Sequence, residues 1–227
     1  MKRVARKTKS GDGQAERSSA TRERLLDVAE QLFARRGLDA VSVRDITQGA
    51  GESLGAITYH FGTMRKLIVA VFDRRMAPLT RQRLEGLDAV EKAAGKAPLP
   101  LEGVLEAMFR PAVIEAMTGD RAGIVFGKLM ARTMMDPNPS LEKYIHGHIE
   151  PVIARFDAAL MRAMPELTPE DVFWRMHLLV GGLHQSLLMM DRKPPGGAPR
   201  LRLDAESYVR RFVAFAAAVF RAQLPKM

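Results

Sequence analysis

The stretch from Ser42 to Thr63 holds two helix starts and two helix stops, a spacing that leaves room only for two brief helices. Ser42-Val43-Arg44-Asp45 sets a hydroxyl residue three positions before a carboxylate, so that each side chain can satisfy the other's free backbone N–H at a helix start. Val43, Ile46 and Ala50 then repeat at helical spacing. Gly51-Glu52-Ser53 interrupts them, and Leu54, Ile57 and Phe61 form the apolar face of a further helix bounded by Gly62-Thr63. Upstream, Ser19 or Thr21 can cap a longer helix carrying Leu25, Leu26, Ala29, Leu32 and Phe33, with Gly37 placed to end it in a left-handed conformation. A supporting helix followed by two short ones across a glycine turn is the pattern of a helix-turn-helix. The expected organisation is a disordered basic arm over residues 1–18, a helix-turn-helix domain over 19–66 and a helical domain over 67–227.

If Ile57 and Phe61 face inward, Gly55, Ala56, Thr58, Tyr59 and His60 turn toward solvent or a groove. Small residues at the start of that helix let its backbone approach base edges. Methyl groups of Ala56 or Thr58 suit thymine, the hydroxyls of Thr58 and Tyr59 suit bases or phosphates, and His60 can donate to phosphate. Tyr59 and His60 fit an ordinary exposed helix face equally well on this argument alone. Charge adds to it: of a formal net charge of +9, residues 1–75 hold 15 Lys or Arg against 9 Asp or Glu. Such an excess at one end suits a polyanion, although lipid surfaces draw basic segments too.

The run from Thr21 to Leu67, including VSVRDITQGAGESLGAITYHFGTMRKL, resembles the DNA-binding domain of the tetracycline-repressor (TetR) family of bacterial regulators. The resemblance implies a homodimeric repressor that holds double-stranded operator DNA and is released by a small molecule. It implies Arg44 as a base-reading side chain, and Ser42, Thr47 and Ser53 as phosphate anchors that set register. This chain departs from the family pattern at Glu52, where an apolar residue is usual, at Thr58, where a second aromatic is usual, and at Met64, where a phosphate-binding lysine is usual. Arg65 and Lys66 are the candidates for the missing phosphate contact, although on a helix they point about 100° and 200° away from it.

Beyond residue 66 the pattern is helical throughout. A fourth helix runs from Thr63 toward Leu84, residues 86–100 read as a linker, and helices follow at about 101–118, 120–135, 140–164, 169–191 and 204–223. Pro111 and Pro151 are expected to kink or split two of them. Over 169–191 and 204–223 apolar residues cover more of the girth than one core face needs, so these helices are expected to pair with their copies across a twofold axis. A purely internal role for both is the alternative.

Phe109, Phe126, Met130, Trp174, His177 and His184 are the candidate ligand-binding residues, since flexible and aromatic side chains with a few polar groups suit an apolar pocket. The segment from Asp136 to Gly181 is similar to the C-terminal domain of a TetR subgroup with fatty-acid-responsive members, which implies an apolar or amphipathic effector. No metal or other cofactor is expected. His146 and His148 fall on different faces of a helix, and with no cysteine in the chain no thiolate site can form. No catalytic residues are indicated, because no phosphate loop or nucleophile motif is present. A helical enzyme or small-molecule carrier that does not bind DNA stays open as the rival reading. The chain has no long uninterrupted apolar run, so no membrane partner and a cytoplasmic location are expected.

Overall fold

The computed structural model describes residues 9–118, 121–135, 138–189 and 203–223. All regular structure among them is helical: α1 (Lys9–Arg36), α2 (Val43–Ala50), α3 (Gly55–Phe61), α4 (Met64–Ala94), α5 (Leu101–Thr118), α6 (Arg121–Met135), α7 (Pro139–Tyr144), a π-helical turn (Ile145–Ile149), α8 (Glu150–Ala163), α9 (Pro169–Met189) and α10 (Ala205–Arg221). The chain divides into two compact units, one closing at Phe72 and the other opening at Asp73, so the division falls inside α4 rather than between residues 66 and 67.

In the first unit Leu25, Leu26, Ala29 and Phe33 of α1 meet Ile46, Ile57, Phe61 and Leu67 in one core, each at most 8% exposed. The helix start expected at Ser19 or Thr21 is corrected. Helix α1 already runs from Lys9, so residues 9–18 of the expected arm are helical, while residues 1–8 lie outside the described residues. Gln14, Ala15, Glu16 and Arg17 are good helix formers and need no cap to extend a helix that the core already anchors.

The expected linker over 86–100 is also corrected, since α4 continues to Ala94. Leu87 is fully buried, and a Cβ on Gly86 would stand 3.2 Å from that of Ala107. The glycine that reads as a loop marker in sequence is what lets α5 approach α4 closely. Helix α4 also runs through Pro78, and α5 through Pro111. Pro151 falls at the start of α8, directly after the π-helical turn, where a missing N–H is tolerated.

The core of the second unit lies between α5, α8, α9 and α10, with Leu105, Phe156, Leu179 and Phe220 almost wholly enclosed. Within it sits Arg175 of α9, 3% exposed. Its guanidinium donates to the carbonyls of Val219, Phe220 (2.8 Å) and Ala222 (3.0 Å). These acceptors lie at the C-terminal end of α10, where backbone carbonyls have no partner of their own and a cation is favoured.

Candidate nucleic-acid interface and an apolar cavity

Helix α2 begins in a full reciprocal cap. Ser42 Oγ accepts from the Asp45 amide at 3.2 Å and donates to Asp45 Oδ2 at 2.6 Å, while the Ser42 amide donates to the same oxygen at 2.9 Å. These bonds from Ser42, and then Arg36 at 3.1 Å, hold the Asp45 carboxyl down at about 2. The Ser42 hydroxyl proton is thereby committed to Asp45 rather than to a phosphate. Ser42→Ala is expected to lower the unfolding free energy by about 1 kcal/mol in a denaturant titration. Affinity for DNA should not change in the folded variant; a loss of affinity that is even across sequences would return the hydroxyl to the phosphate contacts.

Gly51 closes α2 at φ 67°, its amide reaching the carbonyls of Thr47 and Gln48, and this left-handed residue turns the chain into α3. From there Gly55, Thr58 and Tyr59 face outward, Tyr59 at 77% exposure, with His60 half-buried and edge-on to the Tyr59 ring at 4.8 Å. Arg44 and Ser53 are exposed beside them, as are Arg65 and Lys66 in the first turn of α4.

Three sequence expectations are corrected here. Ala56 packs inward with Ile57 and Phe61 instead of facing the groove. Thr47 is 2% exposed, and its hydroxyl donates back to the carbonyls of Val43 (3.1 Å) and Arg44 (3.3 Å), which takes it away from any phosphate. Leu54, expected in the core, is 60% exposed. It precedes α3 in a right-handed helical conformation, so the helical winding begins one residue before the regular helix and carries the leucine outward. Glu52, an unusual residue at its place, is held by Arg24 at 2.5 Å and Thr21 at 3.2 Å, and chiefly the Arg24 bond keeps its carboxyl below the ordinary range.

The second unit contains a cavity of about 340 Å³ whose wall is mostly apolar. Phe109, Phe126, Met130 and His184, four of the candidate ligand-binding residues, line it. Trp174 and His177 do not. Trp174 is 52% exposed, and His177 lies against the Phe173 ring at 3.8 Å between centroids, its Nδ1 on the Phe173 carbonyl. Although His177 and His184 share a helix face, seven residues advance about 10.5 Å along the axis, which places His177 beyond the cavity.

The polar wall residues Thr80, Arg83 and Glu115 were not singled out by sequence, because isolated polar residues in an amphipathic helix read as its solvent face. Burial brings the Arg83 guanidinium down to about 10, and its Nε donates to the Met108 carbonyl at 2.9 Å. His184 donates from Nδ1 to the Val180 carbonyl at 2.8 Å, and burial, with the charge of Arg83, holds its ring toward the neutral form. No cluster of metal-ligating side chains occurs among the described residues, and no helix among them is long and apolar enough to cross a membrane.

On the outer side of α9 and α10, Trp174, Leu178 and Phe215 are each more than half exposed, flanked by exposed Gly181, Gly182, Ala214 and Ala218. The opposite faces, with Met176, Leu179 and Leu183 on α9 and Val209, Val213 and Ala216 on α10, enter the core of the unit. Both helices are therefore apolar on two sides while one side stands uncovered.

Two family profiles match the chain: one described as bacterial regulatory proteins of the tetR family, over residues 25–71, and one described as the tetracyclin repressor-like C-terminal domain, over residues 106–219. The transcriptional repressor KstR2 of Rhodococcus jostii is 44% identical over 50 residues, which is 22% of this chain and 24% of the relative. The match thus spans about a quarter of that protein. The fatty acid degradation regulator FadR of Bacillus halodurans has a similar fold, with a TM-score of 0.59 at 17% identity over 89% of this chain and 97% of that one. AibR, solved with isovaleryl coenzyme A and operator DNA, scores 0.58 at 17% identity over 86% and 97%.

Proposed function

Because the chain belongs to the TetR family of bacterial regulatory proteins, and so is a DNA-binding transcriptional regulator rather than an enzyme, we propose that it represses its target genes as a homodimer released from DNA by a small apolar or amphipathic effector. The observation that carries this reading is the exposed outer face of α3, where Gly55, Thr58 and Tyr59 stand out from a helix whose other side is locked into the core. A dimer presents two such helices to successive major grooves, about 34–36 Å apart on a palindromic site. Arg44 reads a base from the start of α2, Ser53, Tyr59 and His60 meet the backbone or base edges, and Arg65 and Lys66 meet phosphates. The exposed side of α9 and α10 forms the dimer seam. The cavity takes the effector, which dissociates the complex by preferring a dimer arrangement that does not fit the operator, since only a difference in affinity between two states can shift their balance. The protein works in the cytoplasm, where its operator lies.

Selection of bound fragments from genomic DNA, followed by anisotropy titrations at several salt concentrations, tests the reading. A preferred palindrome and an affinity that falls with salt are expected. Equal affinity for every sequence would sink it. Lys66→Ala is expected to weaken binding evenly across sequences and to reduce the magnitude of the salt slope by about one.

A further inference from the structure

Among the described residues Arg83 is the group in the cavity wall left without a counter-charge. It comes from α4, spends its Nε on the Met108 carbonyl, and makes no other hydrogen bond or ion pair among the described residues. The acidic side chain on the same wall, Glu115, is engaged by Arg75 at 3.3 Å. His184 brings no negative charge in any protonation state. Around this group the wall is aromatic and aliphatic, with Phe109, Phe126, Met130 and Leu183. Arg83 is partly exposed, and a guanidinium half out of water against such surroundings gains by meeting an anion. The volume of about 340 Å³ falls in the range of small-molecule sites, about 300–1,000 Å³.

We propose that the effector is an amphiphile with one acidic head group, a carboxylate or a phosphate, which pairs with the Nη nitrogens of Arg83 while its apolar body lies along Phe109, Phe126 and Met130. The proposal rests on the reading of this cavity as the effector site and adds the charge of the ligand and the residue that selects it. Both Nη groups lie in the plane of the guanidinium, so the two oxygens of one acidic group can be met together. A neutral molecule of the same shape would fill the cavity and leave the cation unopposed.

Two dyes of one skeleton separate these cases: anilinonaphthalenesulfonate and its uncharged analogue phenylnaphthylamine, titrated by fluorescence into the full-length dimer. The wild type is expected to bind the sulfonate at least about tenfold more tightly than the neutral dye, and Arg83→Met to abolish that preference while its affinity for the neutral dye stays within about twofold. Arg83→Lys, which keeps the charge, should retain part of the preference and shows that the loss does not stem from misfolding. Equal binding of both dyes by the wild type, or a preference that survives Arg83→Met, overturns the proposal.

Thr80→Phe and, separately, Ala112→Phe narrow the cavity. If they exclude both dyes while Arg83→Met changes nothing, the charge assignment alone falls. If both dyes bind these variants as they bind wild type, or if the wild type takes neither dye, the cavity reading falls as well. Displacement of the sulfonate dye by decanoate or by decyl phosphate supports the proposal and tells one head group from the other, whereas displacement by decanol and by neither acid overturns it.

Discussion

Leu178→Asp is expected to leave a monomer in solution and to lower operator affinity by at least about a hundredfold. Leu178 is 66% exposed on α9, beside Trp174 and the small residues Gly181 and Gly182, and Phe215 of α10 is 61% exposed. In the proposed seam each leucine meets a copy of this surface, so the substitution sets two carboxylates into an apolar contact with no cation opposed to them. The monomer keeps its α3 face intact and still meets one half-site. What it loses is the tether that turns the second half-site contact into an intramolecular event. Sedimentation velocity and anisotropy on the selected operator measure the two effects. A Leu178→Asp protein that stays dimeric would place the seam elsewhere, and one that turns monomeric with full affinity would remove the dimer from the binding mechanism.

Arg175→Met is expected to destabilise the second unit by about 3 kcal/mol, because the carbonyls of Val219, Phe220 and Ala222 lose a charged donor and that of Phe220 lies buried. Methionine keeps the apolar length of the side chain, so the loss isolates the hydrogen bonds from packing. For a unit of this size the melting midpoint should fall by roughly 6–12 °C in a calorimetric scan. A fall smaller than about 2 °C would mean that the end of α10 finds other partners and that Arg175 is not its cap. Since α10 supplies half of the proposed seam, the variant should also dimerise more weakly, in proportion to the fraying of that helix.

The start of the first unit's turn was legible because its determinants are local. Ser42 and Asp45 stand three apart, Gly51 adopts the positive φ that its place requires, and Ile57 and Phe61 are enclosed as their spacing suggests. The errors on the same face came from packing. Helix α3 is only Gly55–Phe61 long, and over so short a span the contact with α2 decides whether Ala56 or Leu54 turns inward. Thr47 carries a hydroxyl and so reads as a surface residue, yet a bond to its own backbone lets it sit in the core. In the second unit the cavity brings together side chains from α4, α5, α6, α8 and α9, and no spacing along the chain announces that meeting. Arg83 and Arg175 each stand alone in helical sequence, and their significance lies in neighbours 25 and 45 residues away.

The π-helical turn at Ile145–Ile149 sets the shape of the cavity wall, to which Ile145, Ile149 and Ile153 all contribute. A stride of four residues along an α-helix overshoots a full circle by about 40°, so side chains at that interval walk steadily around the rod. The wider turn winds less per residue, so the first stride does not overshoot the circle and offsets the overshoot of the second, which draws the three isoleucines toward a single column. A change that let this loop of backbone tighten to the ordinary pitch would swing one end of the column aside. The hollow would then be recut with every lining residue still in place.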